Sequence, residues 1–265
     1  MTPPAPLRVF PLSRLRREGD RPCGPAKPVP RDDWSAAPAW LALGLTLLLD
    51  GCSGRDMGND WFPLREGDEQ TLAVTYKMDE PREPEQWTMR VQAPATFQDQ
   101  PVAVRHHSAG VSYYLKVDDQ GIRRVATRTD IDEQPTADAG PVWVLKAPYQ
   151  VGTEWTTVTV PYLLQRKNEH PRELKYTHKA QMTWRIEAVD DAVKLADGSE
   201  HKPCLRVVGQ ARLNLYTDPV NGFTDVPLIS REWYCRGEGL VKFEREEKVP
   251  AGFMTGGVLS AERIR

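Results

Sequence analysis

"AQMTWRIEAV", residues 180–189, alternates without a break: Met182, Trp184, Ile186 and Ala188 fall on one side, Gln181, Thr183, Arg185 and Glu187 on the other. A period of two sends successive side chains to opposite faces of an extended backbone, so this stretch predicts a strand with one buried face. The same pattern recurs on both sides of it. "GVSYYLKV" aligns Val111, Tyr113, Leu115 and Val117, and "LRVVGQARLNL" aligns Leu205, Val207, Ala211, Leu213 and Leu215. Between such runs stand Ser108-Ala109-Gly110, Asp118-Asp119-Gln120-Gly121 and Asp197-Gly198, residues that suit hairpin turns. No window carries a long helical period. Strand after strand with one apolar and one polar face predicts an all-β, mainly antiparallel sheet with one side in water.

Upstream of Gln70 the composition changes. Ala37 to Leu49, "APAWLALGLTLLL", is uncharged; it fits the ~7–15 residue core of a secretory signal and falls short of the ~20 residues that span a bilayer. It runs into Leu49-Asp50-Gly51-Cys52, which resembles the lipobox of bacterial lipoproteins. That resemblance implies cleavage between Gly51 and Cys52 and acylation of Cys52. Asp50 is an uncommon residue for its place in that pattern. Residues 1–36 are proline-rich, with Arg14, Arg16 and Arg17 well before the apolar run, which reads as an over-extended start or a cytoplasmic extension. The expected organisation is a leader over 1–51, a lipidated tether over 52–60 and an antiparallel β domain over 61–265. Two or more acyl chains suffice for stable anchoring. Ser53 after the cysteine favours the outer membrane, facing the periplasm, by its resemblance to enteric lipoproteins.

Charge excludes one class of partner. With 35 Lys and Arg against 37 Asp and Glu, and no basic stripe, nucleic acid is not expected. Four cysteines occur. Cys23 leaves with the leader and Cys52 takes lipid, so Cys204 and Cys235 remain for an oxidising compartment. The interval between them reads as two strands around Asp218-Pro219-Val220-Asn221-Gly222, and a turn centred at 219–220 sets 204 opposite 235. Two separate thiols are the alternative, because Pro227 can shift the register and one residue of slip sends the side chains to opposite faces.

An internal echo links two distant segments. "PLREGDEQTLAVTY" from Pro63 and "PYQVGTEWTTVTVP" from Pro148 share Pro63/Pro148, Gly67/Gly152, Glu69/Glu154 and Thr71/Thr156 at equal spacing. Each reads as a turn with glycine at its positive-φ position feeding a strand, so strands are expected from near 69 and 154. Both are good turn-to-strand compositions in their own right; the alternative is two structurally related halves. "WFPLREGDEQTLAVTY", "PCLRVV" and "WYCRGEGLVKFE" resemble a group of uncharacterised bacterial lipoproteins. The resemblance implies a curved antiparallel sheet of the open-barrel or half-barrel type, similar to periplasmic lipoprotein carriers, and implies no catalytic residues. A β-sandwich is the alternative architecture.

Constellations for chemistry are sparse. His106 and His107 are adjacent, so on a strand they point to opposite faces and share no metal ion. No HxH, HExxH or CxxC spacing occurs, and neither metal nor cofactor is expected. Ser199-Glu200-His201-Lys202 matches S-x-x-K, but follows Asp197-Gly198 and precedes Pro203, a hairpin tip where a helix is needed. Gly237-Glu238-Gly239 reads as a tight turn. Asp118-Asp119 and Asp190-Asp191 sit at strand ends, and Asp130, Asp132, Glu133 and Asp138 form a solvated acidic loop. The aromatic residues remain. Trp87, Tyr113, Trp143, Trp184 and Trp233 are the candidates to face an amphipathic ligand, since each ring offers apolar area and a polar edge. The expectation is a non-enzymatic, lipid-anchored envelope protein that binds or carries an amphipathic component, or else a structural subunit that docks onto another envelope protein.

Overall fold

The computed structural model describes residues 56–170, 172–249 and 252–264; the leader, the Gly51-Cys52 cleavage site and the lipidation position lie outside the described residues. Fourteen strands follow one another: β1 (Glu69–Met78), β2 (Glu85–Phe97), β3 (Gln100–His107), β4 (Val111–Asp118), β5 (Gly121–Thr129), β6 (Thr136–Lys146), β7 (Glu154–Thr159), β8 (Gln165–Arg166), β9 (Ala180–Lys194), β10 (Glu200–Asp218), β11 (Gly222–Cys235), β12 (Gly239–Glu247), β13 (Met254–Thr255) and β14 (Gly257–Arg263). One single-turn 3-10 helix, Leu174–Tyr176, interrupts them.

Twelve strands form one antiparallel sheet in the order β6-β5-β4-β3-β2-β1-β14-β12-β11-β10-β9-β7, and β8 pairs with β13 apart from it. The sheet curls into a nearly closed barrel with one unsealed seam, between β6 and β7. Because neighbours in the chain are neighbours in the sheet, turns alternate between the two ends of the barrel.

The alternation in 180–189 is realised: Met182 and Ile186 are buried and Trp184 half-buried, while Gln181, Thr183, Arg185 and Glu187 are exposed. On β10 the same face presents Leu205, Val207, Gly209, Ala211, Leu213 and Leu215. Gly209 stands directly opposite Trp184, where a Cβ would lie 2.7 Å from the Trp184 ring and 2.8 Å from Met182 Sδ. The missing side chain is what lets the indole lie flat there.

The sheet is not wet on one whole side. Val102 and Val104 alternate with Ala103 of the inner core, yet both are buried, covered with Tyr114 and Ala126 by Ala95 and Phe97. The expected single buried face fails here because β2 carries a register shift between Gln92 and Ala95, and the β2–β3 tip folds onto the outer face. β9 and β10 repeat the device. Their register shifts between His201 and Val207, and Val193 and Leu195 cover Cys204, Cys235 and Val241 on the outside, with the Ala196 N–H donating to Glu262 at 2.6 Å.

Two inserts occupy the barrel. Residues 56–65 fold back on themselves, bridged at Asp56–Arg65 and Asn59–Phe62, with Asn59 Oδ1 accepting the N–H of Trp61 and Phe62 at 2.9 Å each. Trp61, Phe62 and Leu64 bury into the inner core beside Leu115, Ile122, Leu145 and Ile186, stoppering one end. Residues 56–60, expected as part of the tether, form the first half of this insert. The second insert is the strap from Val160 to His178. Leu163 packs on Leu72, Phe243 and Leu259, while Leu164 and Leu174 pack on Met182, Leu213 and Leu228, so the strap crosses from one wall to the other. Glu247 on β12 fixes it: its carboxylate accepts the N–H groups of Tyr162 (2.9 Å), Leu163 (2.8 Å) and Leu164 (3.2 Å). Arg245 donates to Glu247 at 2.7 Å, and both side chains are buried.

Candidate ligand site

Between the strap and the β1–β4 wall lies a cavity of about 520 Å³, at the end away from the stopper, where the β1–β2 and β3–β4 turns form its mouth. Its wall is a run of rings: His107 to Trp87 at 5.9 Å, Trp87 to Phe243 at 6.3 Å and Phe243 to Tyr162 at 6.2 Å between centroids. Tyr113, Met89, Leu72 and Leu240 complete the apolar surface. At the mouth, Glu85 accepts from the Tyr76 hydroxyl, from Trp87 Nε1 at 3.2 Å and from Arg82 at 3.4 Å, and Arg82 lies 4.1 Å over the Tyr76 ring. Lys175 of the strap stands at the same rim.

One carboxyl group projects from the barrel wall into this space. Glu232 occupies β11 between Trp233, which points out, and Arg231; in register it faces Val207 and Phe243. Its single hydrogen-bond donor among the described residues is the Tyr234 hydroxyl. Burial pushes its pKa up to about 7, against the partly offsetting Tyr234 hydrogen bond and the Arg245 charge. Burial also raises Tyr234 and Tyr113 and lowers His107, helped by the neighbouring Arg105 charge. The imidazole, carboxyl and phenols are therefore all biased toward their neutral forms.

Of the five candidate rings, Trp87 and Tyr113 line this cavity. The other three lie elsewhere. Trp143 sits in a shallow surface groove, with Arg123 5.2 Å and Lys146 5.9 Å from its ring centre. Trp184 stacks on Trp155 at 6.4 Å in the inner core. Trp233 lies on the outer face, donating to Asp191 at 3.2 Å and packing beside the Cys204–Cys235 cluster. Those two cysteines are cross-strand partners joined by a disulfide. The residues that sequence reading passed over are Tyr162, Phe243 and Glu232. For Glu232 the expected alternation runs the wrong way round: placing Trp233 on the ligand side sends its neighbour outward, whereas Trp233 points out and Glu232 in.

The remaining constellations have structural partners. Lys202 reaches toward Glu200 at 3.9 Å and not toward Ser199. Ser199 Oγ is 3.1 Å from His201 Nε2, and His201 Nδ1 is 2.9 Å from Glu238, which has the order of a nucleophile, base and acid. Ser199 also donates to Asp197 at 2.7 Å, and that nearer carboxylate takes the hydroxyl hydrogen, so the group caps an exposed hairpin turn. Asp138 and Asp118 pair with Arg124 (2.8 Å) and Arg123 (2.7 Å). His106 and His107 diverge, His106 to Ser112 at 3.1 Å and His107 into the cavity. No group of three His, Cys, Asp or Glu among the described residues could hold a metal ion, and no helix among them is long and apolar enough to cross a membrane.

No protein-family model matches the chain, and no curated protein matches it. Among solved structures, a Bacteroides fragilis protein provisionally described as exported, with a YmcC-like fold, aligns over 81% of this chain and 100% of its own, at 11% identity and a TM-score of 0.33. A Parabacteroides distasonis protein provisionally described as a lipoprotein aligns over 78% and 99%, at 10% identity and a TM-score of 0.30. At this distance neither neighbour assigns a function to the present chain.

Proposed function

We propose that the protein is a lipid-anchored, non-enzymatic binding protein of the bacterial cell envelope that holds an amphipathic component inside its barrel. The observation that carries this reading is the cavity itself: about 520 Å³ of space, walled by Trp87, Phe243, Tyr162 and Tyr113, with hydroxyl, imidazole and carboxyl tips between the rings. Ligand pockets are typically apolar clefts of roughly 300–1,000 Å³ with a few convergent polar groups. Anchoring at Cys52 rests on the 37–52 stretch, and the outer membrane as destination rests on Ser53.

Native mass spectrometry of the chain from Ser53, exported to the periplasm and purified without detergent, tests the reading. A reproducible added mass that is lost on unfolding, and lost in Trp87→Ala, is expected. A bare mass in the native chain overturns carriage. A second reading has an observation of its own: β6 and β7 present two unpaired sheet edges, and such edges accept a partner strand. Pro141 within β6 lacks an N–H and blunts one of them.

A further inference from the structure

The charges on the cavity wall are unevenly satisfied. At the mouth, Arg82 and Glu85 neutralise each other, with Tyr76 and Trp87 donating to the same carboxylate. Lys175 is exposed there and solvated. Deeper in, no ion pair among the described residues includes Glu232. The nearest cation of its own sheet, Arg245, is already bound to Glu247, Ser230 and the Val160 carbonyl. Arg105 lies on the stopper side, bonded to Gln70 at 2.6 Å and 4.8 Å over the Phe62 ring. Tyr234 gives Glu232 one hydrogen bond and cannot balance its charge. His107 is held toward the neutral imidazole.

We propose that the ligand carried in this cavity presents a cationic nitrogen, which seats against Glu232 beside its cross-strand neighbour Phe243. The inference rests on the amphiphile-binding reading and narrows it to cationic or zwitterionic amphiphiles. Two independent features of the geometry meet at this point. A carboxylate in a low-dielectric site gains most from a partner of opposite charge, because ionisation without one is costly. Arg245 already lies 4.8 Å over the Tyr162 ring and Arg124 5.7 Å over that of Tyr113, but Phe243 and Trp87, which line the same space, carry no such partner among the described residues, and open ring faces attract cations through the quadrupole, most strongly when the cation is desolvated. The raised pKa of Glu232, about 7, is the same frustration seen from the proton's side: the site holds a hydrogen because it lacks a better cation. The preference for a cation therefore grows as pH rises through about 7, where the carboxyl ionises without help.

Decyltrimethylammonium and decyl maltoside, each below its micelle concentration, are titrated against the chain from Ser53 at pH 8 and pH 5.5, with Trp fluorescence and calorimetry as readouts. The two probes share one tail and differ in head group. At pH 8 the cation is expected to bind on the order of tenfold more tightly than the maltoside, with the margin falling toward unity at pH 5.5. Glu232→Gln keeps an acceptor for Tyr234, and is expected to abolish the margin while leaving maltoside binding in place. Equal binding of both probes at pH 8, or a margin that survives in Glu232→Gln, overturns the cationic-nitrogen inference and leaves the amphiphile reading intact. Binding of neither probe overturns the amphiphile reading itself.

Discussion

Glu247 and Glu232 are two carboxyl groups inside one barrel, and their neighbours give them opposite roles. Glu247 accepts three strap N–H groups and the Arg245 guanidinium, so its charge is distributed over four donors. Glu247→Gln leaves Arg245 buried without a counter-charge, and breaking a buried pair in this way costs about 3–5 kcal/mol. Urea unfolding checks the magnitude, and limited proteolysis within the 160–178 strap should accelerate in the same variant. Glu232 has one donor and a pKa of about 7 against an ordinary 4.5. Because the folded value is the higher one, the folded state prefers the protonated form. Its contribution is complete below about pH 4.5 and is lost as pH rises through 7. Glu232→Gln should leave stability unchanged at pH 4 and raise it at pH 8, by up to about 3 kcal/mol. Equal stability of the two proteins at pH 8 in urea titrations would sink this. Neither role was legible in the sequence. Alternation places Glu232 and Glu247 on the inner face, but which carboxylate meets a guanidinium depends on where the strap crosses.

At the scale of elements, β10 and β11 show what a sequence pattern settles and what it leaves open. The turn over 218–222 was readable from its Asp, Pro, Asn and Gly. After one register shift between Asp218 and Tyr216, the ladder runs unbroken from Tyr216 opposite Phe223 through to Cys204 opposite Cys235. Pro227 does not shift it, pairing with Arg212 on a face where no bulge forms. Both cysteines therefore reach the outer side together, and the disulfide spans 31 residues of sequence. Closing a loop of that size restricts the unfolded chain by about 3–4 kcal/mol in the loop-entropy treatment. Replacing both cysteines with serine should lower the urea midpoint accordingly, and reductant should have no effect on that variant. Gly209 is a local requirement of the same strand. Gly209→Ala places a methyl against the Trp184 ring and Met182, and overpacking of this kind costs about 1–3 kcal/mol. Trp184→Leu in the same chain should recover part of the loss, a coupling that a double-mutant cycle measures directly. The long alternating strands were plain in the sequence. The bulges that curl the β2–β3 and β9–β10 tips onto the outer face were not, since a one-residue register shift leaves composition unchanged.

Across the whole molecule, the echo between Pro63 and Pro148 becomes a structural correspondence. Gly67 and Gly152 both adopt positive φ, 88° and 93°. Gly67 N–H bonds Val91 O at 2.9 Å while Val91 N–H returns to Asp68 O, and Gly152 N–H bonds Ile186 O at 2.9 Å while Ile186 N–H returns to Thr153 O. Each of these turns opens a run of six sheet strands, β1–β6 and then β7, β9–β12 and β14. In each run the second and third strands form the bulged hairpin that folds over its own outer face. A ring of two such halves has two junctions. One, β14 with β1, is sealed from Leu72–Arg263 to Met78–Gly257; the other, β6 with β7, carries no ladder. The asymmetry has a local cause. β7 is only six residues long, and the chain leaves it at Val160 and Pro161 to enter the barrel as the strap, so the strand that would zip onto β6 is diverted inward to bind Glu247. The strap and the open seam are then one feature, and hydrogen exchange distinguishes this from a seam that is merely short of contacts. Amides of β1 and β14 should be protected along both edges, and those of β6 and β7 only where they face β5 and β9. Glu247→Gln, by loosening the strap, should slow exchange at the β6 and β7 edges if the freed chain extends β7 and closes the ring; faster exchange at those edges would show that the strap props the barrel and does not compete with its closure.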